Sequence, residues 1–132
     1  MPAIHHIAFH CHDIHAQEKF YARHFGFKRV WTFNEGQPNE FIMLRCGACC
    51  LEFFPRAADT AATERGGEQK IGLRHLAFSV DNLEAAIDKL KEDGITADPI
   101  LDKLPVPGLR ICFFRDPEGN ILELMENWPA SA

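Results

Sequence analysis

The feature that most restricts how this chain can fold is that it is written twice. His6-Ile7-Ala8-Phe9 returns as His75-Leu76-Ala77-Phe78, 69 positions later. Phe25-Gly26-Phe27 is matched by Asp93-Gly94-Ile95 at a spacing of 68, and Leu51-Glu52-Phe53 by Leu122-Glu123-Leu124 at 71. A nearly constant spacing across three separate anchors points to two copies of one supersecondary unit. With 132 residues, both copies fit in one domain, 1–132. Module 1 falls at about 3–56, a linker at about 57–72 and module 2 at about 73–127.

Each copy begins with an apolar alternation that reads as a strand, followed by a helix. In the second copy Asp81 or Asn82 caps the helix, Leu83, Ala86, Ile87 and Leu90 share one face, and Gly94 ends it. In the first, Asp13 is the cap, Phe20, Tyr21 and Phe25 the apolar face, and Gly26 the terminator. Strands are then expected over 28–34, 40–45 and 49–54 in copy one. In copy two the stretch 100–109 is broken by Pro105, Pro107 and Gly108, which points to an irregular loop there. Strands over 110–114 and 121–126 follow, joined by the turn Asp116-Pro117-Glu118-Gly119-Asn120. Each copy therefore reads β-α-β-β-β, and the fold class is α+β. The polar linker is expected to be the most mobile segment.

Composition narrows the class further. Apolar residues form 46% of the chain, enough for a core without disulfide or zinc staples. Fourteen Lys and Arg stand against nineteen Asp and Glu, a net charge of −5, with no basic run, which argues against nucleic acid as a partner. No apolar stretch approaches membrane-spanning length, and the N-terminus lacks a signal-peptide layout. A soluble, cytoplasmic protein is expected. The five cysteines are odd in number, and Cys49 and Cys50 are adjacent, a poor disulfide framework. Cys46-Gly47-Ala48-Cys49 has no second pair to complete a zinc site, so the cysteines read as small buried hydrophobes.

Strand periodicity sorts the polar residues onto one face. His6 shares a side with Ala8 and His10, and His75 with Ala77 and Ser79. Glu52 shares a side with Cys50 and Phe54, and Glu123 with Ile121 and Met125. The opposite sides, carrying Ile7, Phe9, Leu51, Phe53, Leu76, Phe78, Leu122 and Leu124, are those a helix would cover. A carboxylate inside an apolar strand is costly unless solvated, paired or bound to a cation. Two carboxylates and two imidazoles at repeat-related positions make a cation site the physical expectation. This donor set suits zinc, nickel, cobalt, manganese or iron(II) alike.

The combination of His6-Ile7-Ala8-Phe9, Phe20-Tyr21, Phe25-Gly26-Phe27, His75-Leu76-Ala77-Phe78-Ser79-Val80-Asp81 and Asp116-Pro117-Glu118-Gly119-Asn120-Ile121-Leu122-Glu123-Leu124 resembles the vicinal oxygen chelate superfamily over essentially the whole chain. This is the glyoxalase, bleomycin-resistance and dioxygenase group. The resemblance implies two βαβββ modules whose curved mixed sheets surround one divalent metal ion. It implies His6, Glu52, His75 and Glu123 as ligands, and a homodimer with sites shared between subunits. Chain length and the two-His, two-Glu set are most similar to bacterial glyoxalase I. Two positions depart from its glutathione-using members: His10 stands where they carry arginine, and Arg56 where they carry asparagine. With Arg110 and Arg74, these residues are left to meet some other acidic group. The expected substrate is small and anionic.

The chemistry implied is that of a lyase or isomerase in which the metal stabilises an enediolate and a glutamate shuttles the proton. Glu123 is the first candidate for that base and Glu52 the second. Two other readings stay open. One is an iron(II) extradiol-type dioxygenase, which needs only two histidines and one carboxylate. The other is a metal-free protein that sequesters a drug or metabolite.

Overall fold

A computed structural model describes residues 1–62 and 71–129. The chain separates into two compact units, Met1–Thr63 and Glu64–Ala132. The centre of the expected linker, 63–70, and the last tail residues, 130–132, lie outside the described residues.

Unit 1 runs β1 (His6–Cys11), α1 (Ile14–Phe25), β2 (Lys28–Phe33), β3 (Phe41–Cys46) and β4 (Cys49–Pro55). Its four strands form one mixed sheet in the order β1-β4-β3-β2, with β1 parallel to β4 and the other pairs antiparallel. The Asp13 carboxylate accepts from the amides of His15 and Ala16, which starts α1. Gly26, at φ 72°, takes the left-handed conformation that stops it. The helix buries Ile14, Gln17, Phe20 and Tyr21. Tyr21 reaches the sheet at Phe53, with ring centroids 5.5 Å apart, and Phe53 in turn meets Phe9 at 5.8 Å. Phe53, Leu51, Ile42 and Leu44 have almost no exposed surface. The helix thus covers the odd positions of β1 and β4, and the even ones, His6 and Glu52 among them, face away.

Unit 2 runs β5 (Leu76–Ser79), α2 (Leu83–Glu92), β6 (Arg110–Arg115) and β7 (Ile121–Glu126), with the sheet order β5-β7-β6. Strand β5 is parallel to β7, as β1 is to β4. Asn82, not Asp81, caps α2 by accepting from the amide of Ala85 at 2.9 Å. The expected fourth strand shrinks to fragments. Asp98 donates its amide to the Phe113 carbonyl, and Leu101 forms a single bridge with Ile111. Pro99, which has no N–H, sits between those contacts, and Pro105 and Pro107 stop the ladder from continuing. The turn before β7 is built on buried Asp116. Its Oδ1 accepts from the amides of Glu118 and Asn120, and its Oδ2 from the Asn120 side chain.

No helix among the described residues is long and apolar enough to cross a membrane. All five cysteines are free thiols. Cys11, Cys50 and Cys112 are buried as expected, whereas Cys46 is exposed because it closes the β3–β4 hairpin opposite Cys49.

Candidate metal centre

The same register produces the same pair twice. In unit 1, β1 and β4 run parallel with Ala8 beside Glu52, and His6 precedes Ala8 by two residues on the same face. The His6 side chain therefore leans diagonally toward Glu52, and Nε2 lies 3.1 Å from Oε1. In unit 2, Ala77 stands beside Glu123 in the parallel β5–β7 pair, and His75 precedes Ala77 by two. Its Nε2 lies 2.9 Å from Glu123 Oε2. The structure thus brings the four expected ligands together two by two.

These pairs fit a divalent cation. With metal–ligand bonds of about 2.1 Å at right angles, as in an octahedral shell, two adjacent donors stand about 3.0 Å apart. The observed 3.1 and 2.9 Å match that spacing, which also serves a direct imidazole–carboxylate hydrogen bond. The Glu52 and Glu123 side chains retain only 10% and 13% of their exposure, so each carboxylate is largely withdrawn from water. Withdrawn anions of this kind require a compensating positive partner. A ligating imidazole commonly gives its second nitrogen to an orienting neighbour. His6 does so, its Nδ1 lying 3.0 Å from Nδ1 of His5, with the two rings edge to face. The Nδ1 of His75 is buried with no hydrogen-bond partner among the described residues. Among those residues, no set of three or more His, Cys, Asp or Glu is grouped for a metal ion. Each unit by itself offers two donors.

The remaining expected residues divide. His10 and Arg56 come together, with Arg56 Nη2 2.7 Å from His10 Nε2. They stand at the other end of β1 from His6, where the His10 ring meets Phe54 edge-on. Ala8, Phe9, His10 and Phe54 line a cavity of about 200 Å³ there. Phe54 stacks on Phe41 at 4.1 Å and Phe41 on Phe33 at 4.3 Å, giving an aromatic ladder across the open face. Arg110 points the other way. It lies on the Cys112 and Phe114 side of β6, where its guanidinium pairs with Glu84 of α2 and Glu126 of β7. That places it across the sheet from Glu123. Cys112 is no nucleophile, because burial pushes its thiol up to about 11.

His5 was legible only as half of a His-His pair, and nothing in the spacing marked it as the neighbour that holds His6. Arg115 had a signal in the repeat, since it follows Arg45 by 70 positions, within the range of the other matched anchors. In both units this arginine lies beside the residue two before the glutamate, Arg45 beside Cys50 and Arg115 beside Ile121.

Residues 3–124 match the family model of the Glyoxalase/Bleomycin resistance protein/Dioxygenase superfamily. The chain is 35% identical over 128 residues to the uncharacterized protein YwkD of Bacillus subtilis, covering 96% of this chain and 98% of that protein. It superposes on the crystal structure of a glyoxalase family protein from Enterococcus faecalis with a TM-score of 0.75 and 33% identity, over 94% of this chain and 97% of that one. The fold is also that of the fosfomycin resistance protein FosX of Listeria monocytogenes, crystallised with Mn(II) and sulfate. That superposition has a TM-score of 0.74 at 14% identity, over 97% of this chain and 94% of that one.

Proposed function

The chain belongs to the Glyoxalase/Bleomycin resistance protein/Dioxygenase superfamily, and we propose that it is a divalent-metal-dependent lyase or isomerase of the glyoxalase I type. The observation that carries this reading is the duplicated pair: two parallel-strand registers, each setting a histidine nitrogen about 3 Å from a largely buried glutamate. His6 and Glu52 would hold one side of the ion, and His75 and Glu123 the other. Two donors per module make half a coordination shell, so a second module must supply the rest. In this reading the supplier is a second copy of the chain, in a homodimer. The FosX neighbour, with Mn(II), is a precedent for a divalent ion on this fold. Five free thiols agree with a reducing cytoplasm.

A bound divalent ion supplies Lewis-acid stabilisation of the charge that develops when a carbon next to a carbonyl loses its proton. The chain's own residues do the rest. Glu123 is the base that takes the proton and returns it to the neighbouring carbon, and Glu52 is the second candidate by pseudo-symmetry. His6, whose Nδ1 lies 3.0 Å from Nδ1 of His5, would serve as a ligand and not as the base. The Glu123 side chain is largely withdrawn from water, and its register partner Phe113 supplies an apolar neighbour on the same sheet.

The test is Glu123→Gln. The variant keeps its fold, and its turnover of a 2-oxoaldehyde, alone or as its thiol adduct, falls by about two to four orders of magnitude. Wild-type turnover in that variant would reject Glu123 as the base. Loss of activity on removing oxygen would favour the dioxygenase reading instead. Absence of stoichiometric metal after reconstitution would favour sequestration.

A further inference from the structure

Two of the five free thiols are paired across a tight turn in unit 1. Cys46 ends β3 and Cys49 begins β4, and the register sets them opposite each other with only Gly47 and Ala48 between. Gly47 takes φ 59°, the positive value that a two-residue hairpin of the II′ type needs at its first loop position. So short a loop fixes the register, and the pairing of the two cysteines is built into the turn. Paired residues of an antiparallel ladder stand about 4.5–5.5 Å apart at Cα, with their side chains on one face. A disulfide spans Cα atoms about 4.4–6.8 Å apart, so the ladder already supplies that spacing. Cys46 is exposed and Cys49 half-buried, so both are within reach of a reagent in solution. Their thiols hold only weak bonds to backbone carbonyls, Cys46 to Phe25 at 3.3 Å and Cys49 to Cys50 at 3.7 Å. The other three thiols are buried. Cys50, although next to Cys49, points to the opposite face of the strand, the face that carries Glu52.

We infer that Cys46 and Cys49 form a reversible dithiol–disulfide site that is oxidised by low-molecular-weight disulfides. Exposure sets the order of events. The Cys46 thiolate attacks one sulfur of the small disulfide, whose S–S bond breaks; a mixed disulfide forms on Cys46 and one small thiol leaves. Cys49 then attacks the Cys46 sulfur, the Cys46–Cys49 bond forms, and the second small thiol leaves. Two electrons pass from the cysteine pair to the reagent, and the two cysteine protons end on the released thiols. The Phe25 carbonyl loses its S–H donor in the oxidised form, and a dithiol reductant reverses the exchange. Neither cysteine is among the candidate metal ligands, so this site stands whether or not the lyase or isomerase reading does.

The experiment incubates the reduced full chain with oxidised glutathione, quenches it in acid, then alkylates the denatured protein and digests it with trypsin. Titratable thiols should fall from five to three, and the intact mass by about 2 Da. In the peptide spanning 46–56, which holds Cys46, Cys49 and Cys50, the alkylating reagent should be found on Cys50 alone. Dithiothreitol should restore all five thiols. Cys49→Ser should stop at the first step, with one glutathione unit retained on Cys46. Cys46→Ser, which removes the exposed thiol, should keep the remaining four thiols free over the same time. Full alkylation of Cys46 and Cys49 in the treated wild type would overturn the inference. So would a lasting glutathione adduct on the wild type, a disulfide between two chains, or undiminished oxidation of Cys46→Ser.

Discussion

Two glutamates three positions apart on β7 have opposite surroundings because a strand alternates faces with period two. Glu123 points to the open face and meets His75. Glu126 points to the helix, where Oε2 accepts the amide of Leu83 at 2.7 Å and Oε1 meets Arg110 at 3.1 Å. Their substitutions should therefore separate chemistry from folding. Glu126→Gln removes a buried charge that satisfies a helix N-terminus, and should lower stability by about 1–3 kcal/mol while leaving turnover near wild type. Glu123→Gln should do the reverse, and thermal unfolding measured beside turnover checks both. Parity made Glu52 and Glu123 legible in the sequence. It did not disclose what Glu126 does, because capping a helix 43 residues away in sequence depends on tertiary packing. His10 and Arg56 were legible as polar neighbours of the site, but their direct contact was not. Arg110, one of the expected anion-binding residues, was read without knowing which face of β6 it takes.

Among the elements, the βαβ start of each unit was legible to the cap residue in α1, and to within one residue in α2, because Asp13, Asn82, Gly26 and Gly94 are strong local signals. The break of 100–109 into irregular chain was legible from Pro105, Pro107 and Gly108, but the single Leu101–Ile111 bridge that survives was not, since prolines decide where a ladder fails but not which bridge remains. Helix α2 is tied to β6 and β7 through the Arg110 guanidinium and the carboxylates of Glu84 and Glu126. The Arg110 hydrogen bond holds the Glu84 carboxyl below its ordinary value of 4.5. A depressed carboxylate stabilises the fold above its unfolded value and loses that contribution as pH falls through the folded one. Arg110→Gln should therefore melt a few degrees below wild type at neutral pH. The Glu84 part of that difference should fade in acid, which melting curves between pH 7 and 3 would record. A gap that widens in acid would contradict this assignment.

For the whole molecule, the repeat made the two-module plan legible, since three matched anchors fix both copies at once. It could not say which copies pair, because repeat spacing is blind to whether the second half of a shell comes from the same chain. Mixing His6→Ala with His75→Ala subunits tests that. If sites are shared in a homodimer, an equal mixture that exchanges subunits should recover about a quarter of wild-type activity, because half the dimers are mixed and one of their two sites is intact. If each site lies within one chain, no activity returns. The most direct measurement is metal content of the reconstituted protein by elemental analysis, taken for wild type, His6→Ala and His75→Ala together. One divalent ion per wild-type chain, lost from both variants, is the predicted result. A wild-type chain without stoichiometric metal, or either variant retaining it in full, would contradict a single centre built from both modules.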